Sequence, residues 1–190
     1  MKRIAIFGSG RGSNAENIIE YFKFHKNISI KLIVSNNSGA GIIAVGKENK
    51  ITTLIIEDHK NDLNTKILKT LTENLIDFVV LAGFLLKIPS TLINKFPNCI
   101  VNIHPALLPK YGGKGMYGIN VHKAVLKNNE TISGITIHFV NEYYDKGKII
   151  FQAKCSVLPN DSPKLLSKKI QKLEYQFYPI IIEKLITNGH

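Results

Sequence analysis

Tryptophan is absent from these 190 residues, and cysteine and arginine are nearly so. Two cysteines are too few for a disulfide framework or for a metal site built of four thiolates. No apolar run approaches the roughly 18 residues that a membrane-spanning helix needs. The first apolar run, residues 2–7, is short and stops at glycines, which favours a first β-strand over a signal peptide. We therefore expect a globular, cytoplasmic enzyme.

The positive charge of the chain comes almost wholly from lysine. Twenty-three lysines and two arginines stand against 14 acidic residues, which gives a formal net charge of +11. The lysines are scattered, whereas proteins that recognise bases or phosphates rely on arginine for bidentate contacts. We therefore expect no nucleic-acid partner, although the field should favour small anionic ligands. A basic nucleic-acid-binding module stays open as an alternative.

Apolar, β-rich runs alternate with helical patterns along the first hundred residues. Strands are predicted near 2–7, 29–35, 52–56, 77–82 and 99–103, and helices near 14–25, 40–49, 61–74 and 90–95. This order is typical of right-handed βαβ units. A helix near 119–127, two strands near 131–140 and 148–157, and a long helix that ends near 187 follow. The sequence predicts a single α/β domain, residues 1–190, with a mainly parallel, Rossmann-like sheet, helices on both faces and an antiparallel strand pair near the C-terminus.

A glycine-rich turn, Gly8–Asn14, follows the first strand. Glycines let the backbone approach an anion, and the free amides of a helix start point at that anion. Ser13 and Glu16 have the spacing of a capping box for this helix. A dinucleotide motif would need a third glycine at position 13 and an acidic residue after the second strand, and both are missing. The turn suits a phosphate or a mononucleotide better.

The fifth predicted strand ends in the motif Asn102-Ile103-His104-Pro105. Because side chains alternate along a strand, Asn102 and His104 share a face at the sheet edge where open α/β folds bind ligands. An amide and an imidazolium are suited to stabilising an oxyanion. If the polar turn around Asp145 reaches this edge, its carboxylate would raise the pKa of His104 and keep the ring cationic. The other histidines, His138 among them, are expected to be structural.

Four segments of the chain stand in the order found in one enzyme family. They are Gly8–Asn14, Leu81–Phe84, Asn102–Pro109 and His138–Gly147. Over nearly its whole length the chain resembles the folate-dependent formyltransferases, and its glycine-rich start is similar to that of the phosphoribosylglycinamide formyltransferase branch. The resemblance implies the formyltransferase fold. It also implies that the formyl group of 10-formyltetrahydrofolate passes to the amine of glycinamide ribonucleotide, the third step of de novo purine biosynthesis.

The resemblance further implies roles for individual residues. Asn102 and His104 would stabilise the oxyanion, while Asp145 would orient His104 and help to move the amine proton. The ribonucleotide would be bound by Gly12, Ser13, Asn14 and Glu174, and the folate by Lys60, Leu85, Leu86, Ile88, Asn102, Asn141 and Asp145. No metal is implied. The expected partners are these small molecules, with no nucleic acid and no membrane, and the chain would act as a monomer or a homodimer.

Two other branches of the family remain alternatives, namely methionyl-tRNA formylation and formyltetrahydrofolate hydrolysis. We expect neither, because those enzymes carry a further C-terminal or N-terminal domain for which these 190 residues leave no room. The chain also departs from the family pattern. Lys60 and Leu86 stand where arginine is frequent, Ala106 stands where serine is frequent, and the segment 111–118 is longer than usual. Its four glycines predict a mobile cover over the site.

Overall fold

The computed structural model describes residues 1–56 and 60–188, and of residues 60–64 the backbone alone. Strands and helices alternate along these residues. The strands are β1 (Lys2–Phe7), β2 (Ile28–Ser35), β3 (Thr52–Ile55), β4 (Phe78–Leu81), β5 (Ile100–His104), β6 (Ile132–Phe139) and β7 (Ile149–Ser156). The helices are α1 (Ser13–Phe22), α2 (Gly41–Glu48), α3 (Lys60–Glu73), α4 (Ser90–Lys95), α5 (Ile119–Lys127) and α6 (Pro163–Thr187).

The strands form one sheet in the order β3-β2-β1-β4-β5-β6-β7. Strands β1 to β5 are parallel, β6 is antiparallel to β5, and β7 is antiparallel to β6. The predicted fold class is therefore confirmed, including the antiparallel pair near the C-terminus. After β1 the chain adds β2 and β3 on one side, then crosses over to place β4 on the other side of β1. Such a reversal opens a crevice at the carboxyl ends of β1 and β4, where open α/β sheets bind ligands.

Apolar cores lie on both faces of the sheet. One core packs α1, α2, α5 and α6 against the sheet, and the other packs α3 and α4 against β1, β2, β4 and the start of β5. Further along the second face, β5 and β6 carry polar side chains, namely Asn102, His104 and His138. The long helix α6 is joined to the sheet by Tyr178, whose buried hydroxyl donates to the carbonyl oxygen of Leu81 at 2.8 Å. The fold thus places a polar cluster next to the crevice.

The starts of α6 and α1 are capped differently. Ser162 caps α6, since its side chain accepts from the amide of Leu165 at 3.2 Å. The capping box predicted for α1 is wrong, because Gly12 is the N-cap residue and no described side chain caps this helix. Gly12 has φ 87°, and a Cβ there would lie 2.7 Å from the Cα atom of Ile42. Only glycine fits this position, and it leaves the first amides of α1 without a side-chain acceptor.

Candidate active site

A cavity of about 720 Å³ lies at the carboxyl edge of β1, β4 and β5. It is lined by all of the residues predicted for the site except Lys60, whose side chain lies outside the described residues. The lining residues among those predicted are Gly12, Ser13, Asn14, Leu85, Leu86, Ile88, Asn102, His104, Asn141, Asp145 and Glu174. The crevice therefore brings together segments that are far apart in the sequence.

His104 is held at the end of β5 by a backbone contact. Its side chain shares a face with Asn102, as predicted, whereas Ile103 packs into the opposite core. The Nε2 atom of His104 lies 2.7 Å from the carbonyl oxygen of Tyr111. Because a carbonyl oxygen can only accept, Nε2 carries a proton. The neutral ring therefore presents an unprotonated Nδ1, which lies 3.5 Å from Oδ2 of Asp145.

The turn between β6 and β7 reaches the cluster through Asp145. Its Oδ2 accepts from the amide of Gly113 at 2.8 Å, and its Oδ1 lies 3.5 Å from Nδ2 of Asn102 and 3.6 Å from Nε2 of His138. Burial acts to raise the pKa of this carboxyl. The two neighbouring histidines, His138 and His104, and the hydrogen bond from the amide of Gly113 outweigh burial, so the pKa of Asp145 lies below its usual value. Asp145 is therefore a carboxylate at neutral pH.

The prediction that Asp145 keeps His104 cationic is wrong in its net direction. Burial lowers the pKa of His104, and the nearby His138 lowers it further. Asp145 and the carbonyl of Tyr111 raise the pKa of His104, but burial prevails. At pH 7 the imidazole is consequently neutral, and the carboxylate of Asp145 reduces the cost of protonating it.

His138 was expected to be structural, and the structure places it in the polar cluster. It stands directly opposite Asn102 in the register of β5 and β6. Its Nδ1 donates to the carbonyl oxygen of Phe139 at 2.8 Å, so that Nε2 of the neutral ring accepts from Nδ2 of Asn102 at 3.1 Å. The two amide hydrogens of Asn102 thus face His138 and Asp145. His138 orients the Asn102 side chain and belongs to the site.

A second unpredicted histidine, His122, lines the cavity from α5. Its side chain is buried, and its Nδ1 has no hydrogen-bond partner among the described residues. Burial, and secondarily the charge of His104, lowers the pKa of His122 to about 4. The ring is neutral at the pH of the cell. No sequence signal distinguishes it, because His122 lies in an ordinary amphipathic helix pattern.

The low pKa of His122 gives a prediction about acid stability. In the unfolded chain this histidine binds a proton near pH 6.5, whereas in the fold it resists protonation down to about pH 4. The free energy of unfolding should therefore decrease as the pH falls from 6.5 towards 4, by about 3 kcal/mol in total from this group. We expect His122→Gln to remove this part of the pH dependence. Urea unfolding of both proteins at several pH values measures it, and an identical pH dependence in the variant would show that His122 titrates normally.

The glycine-rich turn meets α6 across another part of the cavity. Nδ2 of Asn14 donates to Oε2 of Glu174 at 2.9 Å, and Nε2 of Gln171 lies 3.4 Å from Oγ of Ser13. The Oδ1 atom of Asn14 is buried without a hydrogen-bond partner among the described residues. Burial raises the pKa of Glu174, although the hydrogen bond from Asn14 opposes this. A buried carboxyl beside an unpaired amide oxygen is suited to a ligand that brings hydroxyl donors.

An apolar wall forms a further side of the cavity and consists of Phe84, Leu86, Ile88 and Val140. Phe84, Leu86 and Ile88 follow β4, and Val140 follows β6. The segment after β4 is joined to the glycine-rich turn by Ser9, whose Oγ accepts from the amide of Leu85 at 3.0 Å. The wall offers apolar area together with backbone groups at its edge. Such a surface suits a flat heterocycle with polar edges.

The glycine-rich segment 111–118 does more than cover the cavity. The carbonyl of Tyr111 holds His104, and the amide of Gly113 holds Asp145. Gly113 has φ 101°, a conformation that favours glycine. The first part of this segment is therefore part of the site, while Lys114–Gly118 line the cavity.

No group of three histidine, cysteine or carboxylate side chains among residues 1–56 and 65–188 is arranged to hold a metal ion. Among the helices of residues 1–56 and 60–188, none is long and apolar enough to cross a membrane.

Comparisons with known proteins identify relatives of this chain. The family model for formyl transferases matches residues 2–182. The chloroplastic phosphoribosylglycinamide formyltransferase of Arabidopsis thaliana is 41% identical over 95% of this chain and 64% of its own length, and that of Vigna unguiculata is 39% identical over 97% and 61%. The chain thus spans less than two thirds of these plant relatives. The Haemophilus influenzae phosphoribosylglycinamide formyltransferase is 33% identical over 100% of this chain and 89% of its own.

Solved structures extend the comparison. The crystal structure of phosphoribosylglycinamide formyltransferase from Bacillus halodurans matches with a TM-score of 0.90 and 34% identity, covering 100% of this chain and 97% of that one. The sheet order and the placement of the helices are therefore those of a known enzyme fold.

Proposed function

This chain belongs to the formyl transferase family, and we propose that it transfers the formyl group of 10-formyltetrahydrofolate to the amine of glycinamide ribonucleotide. One observation carries the proposal: a single cavity joins the start of α1, the buried carboxyl of Glu174, the polar cluster and the apolar wall. The two substrates need these four surfaces at once. We further propose that residues 1–190 form one domain that carries the whole reaction in the cytoplasm, without a metal.

The ribonucleotide is placed at the glycine-rich turn. The amides of Gly12, Ser13 and Asn14 at the start of α1 bind its phosphate, because helix N-termini present unpaired N–H groups and a partial positive charge. The basic surface of the chain favours the approach of this anion. Glu174 accepts hydrogen bonds from the ribose hydroxyls. These bonds replace the hydrogen bond that Glu174 accepts from Asn14, or they form in addition to it.

The folate lies against the apolar wall. Leu86 and Ile88 contact its ring system, and Leu85 and Asn141 contribute from the neighbouring loops. The formyl group then reaches Asn102 and Asp145 at the end of the wall. This arrangement lets the folate and the ribonucleotide meet at the polar cluster.

The reaction is an attack of the ribonucleotide amine on the formyl carbon. The carbonyl electron pair moves to the formyl oxygen, and Asn102 exchanges its long contact with Asp145 for a hydrogen bond to the resulting oxyanion. The negative charge that develops on the formyl oxygen raises the pKa of the His104 ring, so that Nδ1 takes up a proton more easily. When the oxyanion collapses to a carbonyl, the bond between the formyl carbon and the folate nitrogen breaks. The amine loses one proton and that folate nitrogen gains one, so the step balances. Asp145 and His104 are the groups placed to hold that proton between the two events.

Titration calorimetry with glycinamide ribonucleotide tests whether Glu174 accepts hydrogen bonds from the ribose. We expect binding in the absence of folate, and we expect Glu174→Gln to raise Kd about tenfold, because a neutral amide accepts more weakly than a carboxylate. The affinity for a folate analogue should stay unchanged in the same variant. This difference separates a lost ribose contact from a general loss of folding.

Binding of initiator methionyl-tRNA, measured at low and at physiological salt, tests the tRNA-formylating alternative. If the positive charge has no nucleic-acid partner, tRNA binding should be weak and should vanish at physiological salt. Tight tRNA binding that survives physiological salt, together with no affinity for the ribonucleotide, would favour the tRNA-formylating alternative.

A further inference from the structure

Tyr111 is the residue of the segment 111–118 that forms a hydrogen bond with His104. Its carbonyl oxygen lies 2.7 Å from Nε2 of the ring, and this contact keeps the proton of the neutral imidazole on Nε2. Tyr111 has φ 59°, in the left-handed region that is unfavourable for a residue with a Cβ. The carbonyl contacts His104 in this conformation of the backbone, so a side-chain contact that offsets the cost of the conformation also bears on His104.

The side chain of Tyr111 makes that contact. Its ring packs against the core formed by α1, α5 and α6, and its hydroxyl donates to Oε1 of Glu130 at 2.8 Å. The same oxygen accepts from Nζ of Lys110 at 2.8 Å. Glu130 follows the end of α5, where its amide donates to the carbonyl of Val125 at 3.3 Å. The carboxylate thus offers Tyr111 a fixed acceptor on the scaffold of the fold.

We propose that Glu130 is a positioning residue for formyl transfer, acting through Tyr111 on His104. Glu130 does not line the cavity and touches none of the three proposed catalytic residues. Its carboxylate determines where the Tyr111 carbonyl lies, and that carbonyl determines which ring nitrogen of His104 is protonated. The kinetic part of this inference rests on the proposed function, whereas the structural part does not.

The consequence of losing Glu130 follows from the tautomers of His104. Without its acceptor, Tyr111 relaxes from the left-handed conformation and its carbonyl leaves Nε2. The neutral ring can then carry its proton on Nδ1, where Asp145 accepts it. In that tautomer Nδ1 has no lone pair with which to take up a proton beside the oxyanion. The same relaxation loosens the hydrogen bond of the Gly113 amide to Asp145, since Gly113 lies two residues further on.

The tautomer of His104 is measured directly by NMR of protein with 15N-labelled imidazoles, at a pH where the ring is neutral. The spectrum of His104→Gln assigns the resonance. We expect the Nε2-protonated form in the native protein, in Glu130→Gln, whose amide oxygen still accepts from Tyr111, and in the control Lys110→Ala. We expect Glu130→Ala and Tyr111→Phe to shift the population towards the Nδ1-protonated form.

Kinetics of the same variants give the second readout. We expect Glu130→Ala and Tyr111→Phe each to lower kcat by about 10-fold to 100-fold with little change in ribonucleotide Kd. The double variant should be no worse than either single one, because both remove the same contact. An unchanged tautomer in Glu130→Ala, or a loss of kcat in Lys110→Ala as large as in Glu130→Ala, would overturn the proposal. A tautomer shift in a protein that formylates no ribonucleotide would instead support the positioning and refute the proposed function.

Discussion

Replacing Asp145 by asparagine is expected to lower kcat by about three orders of magnitude, with little change in ribonucleotide affinity. Asparagine keeps the size of the side chain and can still accept from the amide of Gly113. It removes the negative charge that opposes the effect of burial on His104, so the pKa of His104 falls further. A ring that resists protonation stabilises the oxyanion poorly, and the proton of the amine loses its acceptor. Single-turnover rates and dissociation constants measure the two effects separately.

The control for this variant lies in the same turn. Glu142 is an exposed carboxylate three residues before Asp145, and it lies outside the lining of the main cavity. Glu142→Gln removes the same charge from the turn and should leave kcat unchanged. Near-normal turnover of Asp145→Asn, or an equal loss in Glu142→Gln, would show that the carboxylate of Asp145 takes no part in the chemistry.

Asn102→Ala is expected to lower kcat by about 10²-fold to 10³-fold, the usual effect of removing one oxyanion donor. The amide of Asn102 is oriented before the reaction by His138 and Asp145, which lie 3.1 Å and 3.5 Å from its Nδ2 atom. A donor that exchanges only its long contact with Asp145 for the oxyanion stabilises the transition state with little reorganisation. Because Asn102 and Asp145 act on one transition state, the double variant should be less damaged than the product of the two single effects.

A comparison of unfolding curves accompanies the rates for Asn102→Ala, since the residue sits on a central strand. A loss of kcat with an unchanged unfolding midpoint and an unchanged ribonucleotide Kd supports the oxyanion role. Losses of the two single variants that simply multiply in the double variant would show that Asn102 and Asp145 act independently, against the arrangement described above.

The fold could be predicted from the sequence because its signals are local. Short β-rich runs and helical patterns alternate regularly, and the confirmed sheet follows from that order. The N-cap residue of α1 could not be predicted from local sequence. Whether Gly12 or Ser13 caps the helix depends on the close approach of Ile42, a contact between two βα units that no local pattern records.

The site could be predicted only in part. Two side chains on one strand face, Asn102 and His104, follow from the period of a β-strand. His138 was missed because its position opposite Asn102 depends on the register of β5 and β6. The predicted direction of the pKa of His104 is wrong because burial outweighs the carboxylate of Asp145, and sequence spacing gives no measure of burial. The proposed role of Asp145 rests on the resemblance, and the structure places its carboxylate 3.5 Å from Nδ1 of His104 and 3.6 Å from Nε2 of His138.

Formyl transfer in the presence and absence of glycinamide ribonucleotide tests the central claim most directly. The conversion of 10-formyltetrahydrofolate to tetrahydrofolate is followed by absorbance, and the ribonucleotide is followed by mass spectrometry. We predict that folate conversion requires the ribonucleotide and that each folate converted yields one formylated ribonucleotide. Folate conversion that proceeds equally well without the ribonucleotide, or that leaves the ribonucleotide unmodified, would contradict the account.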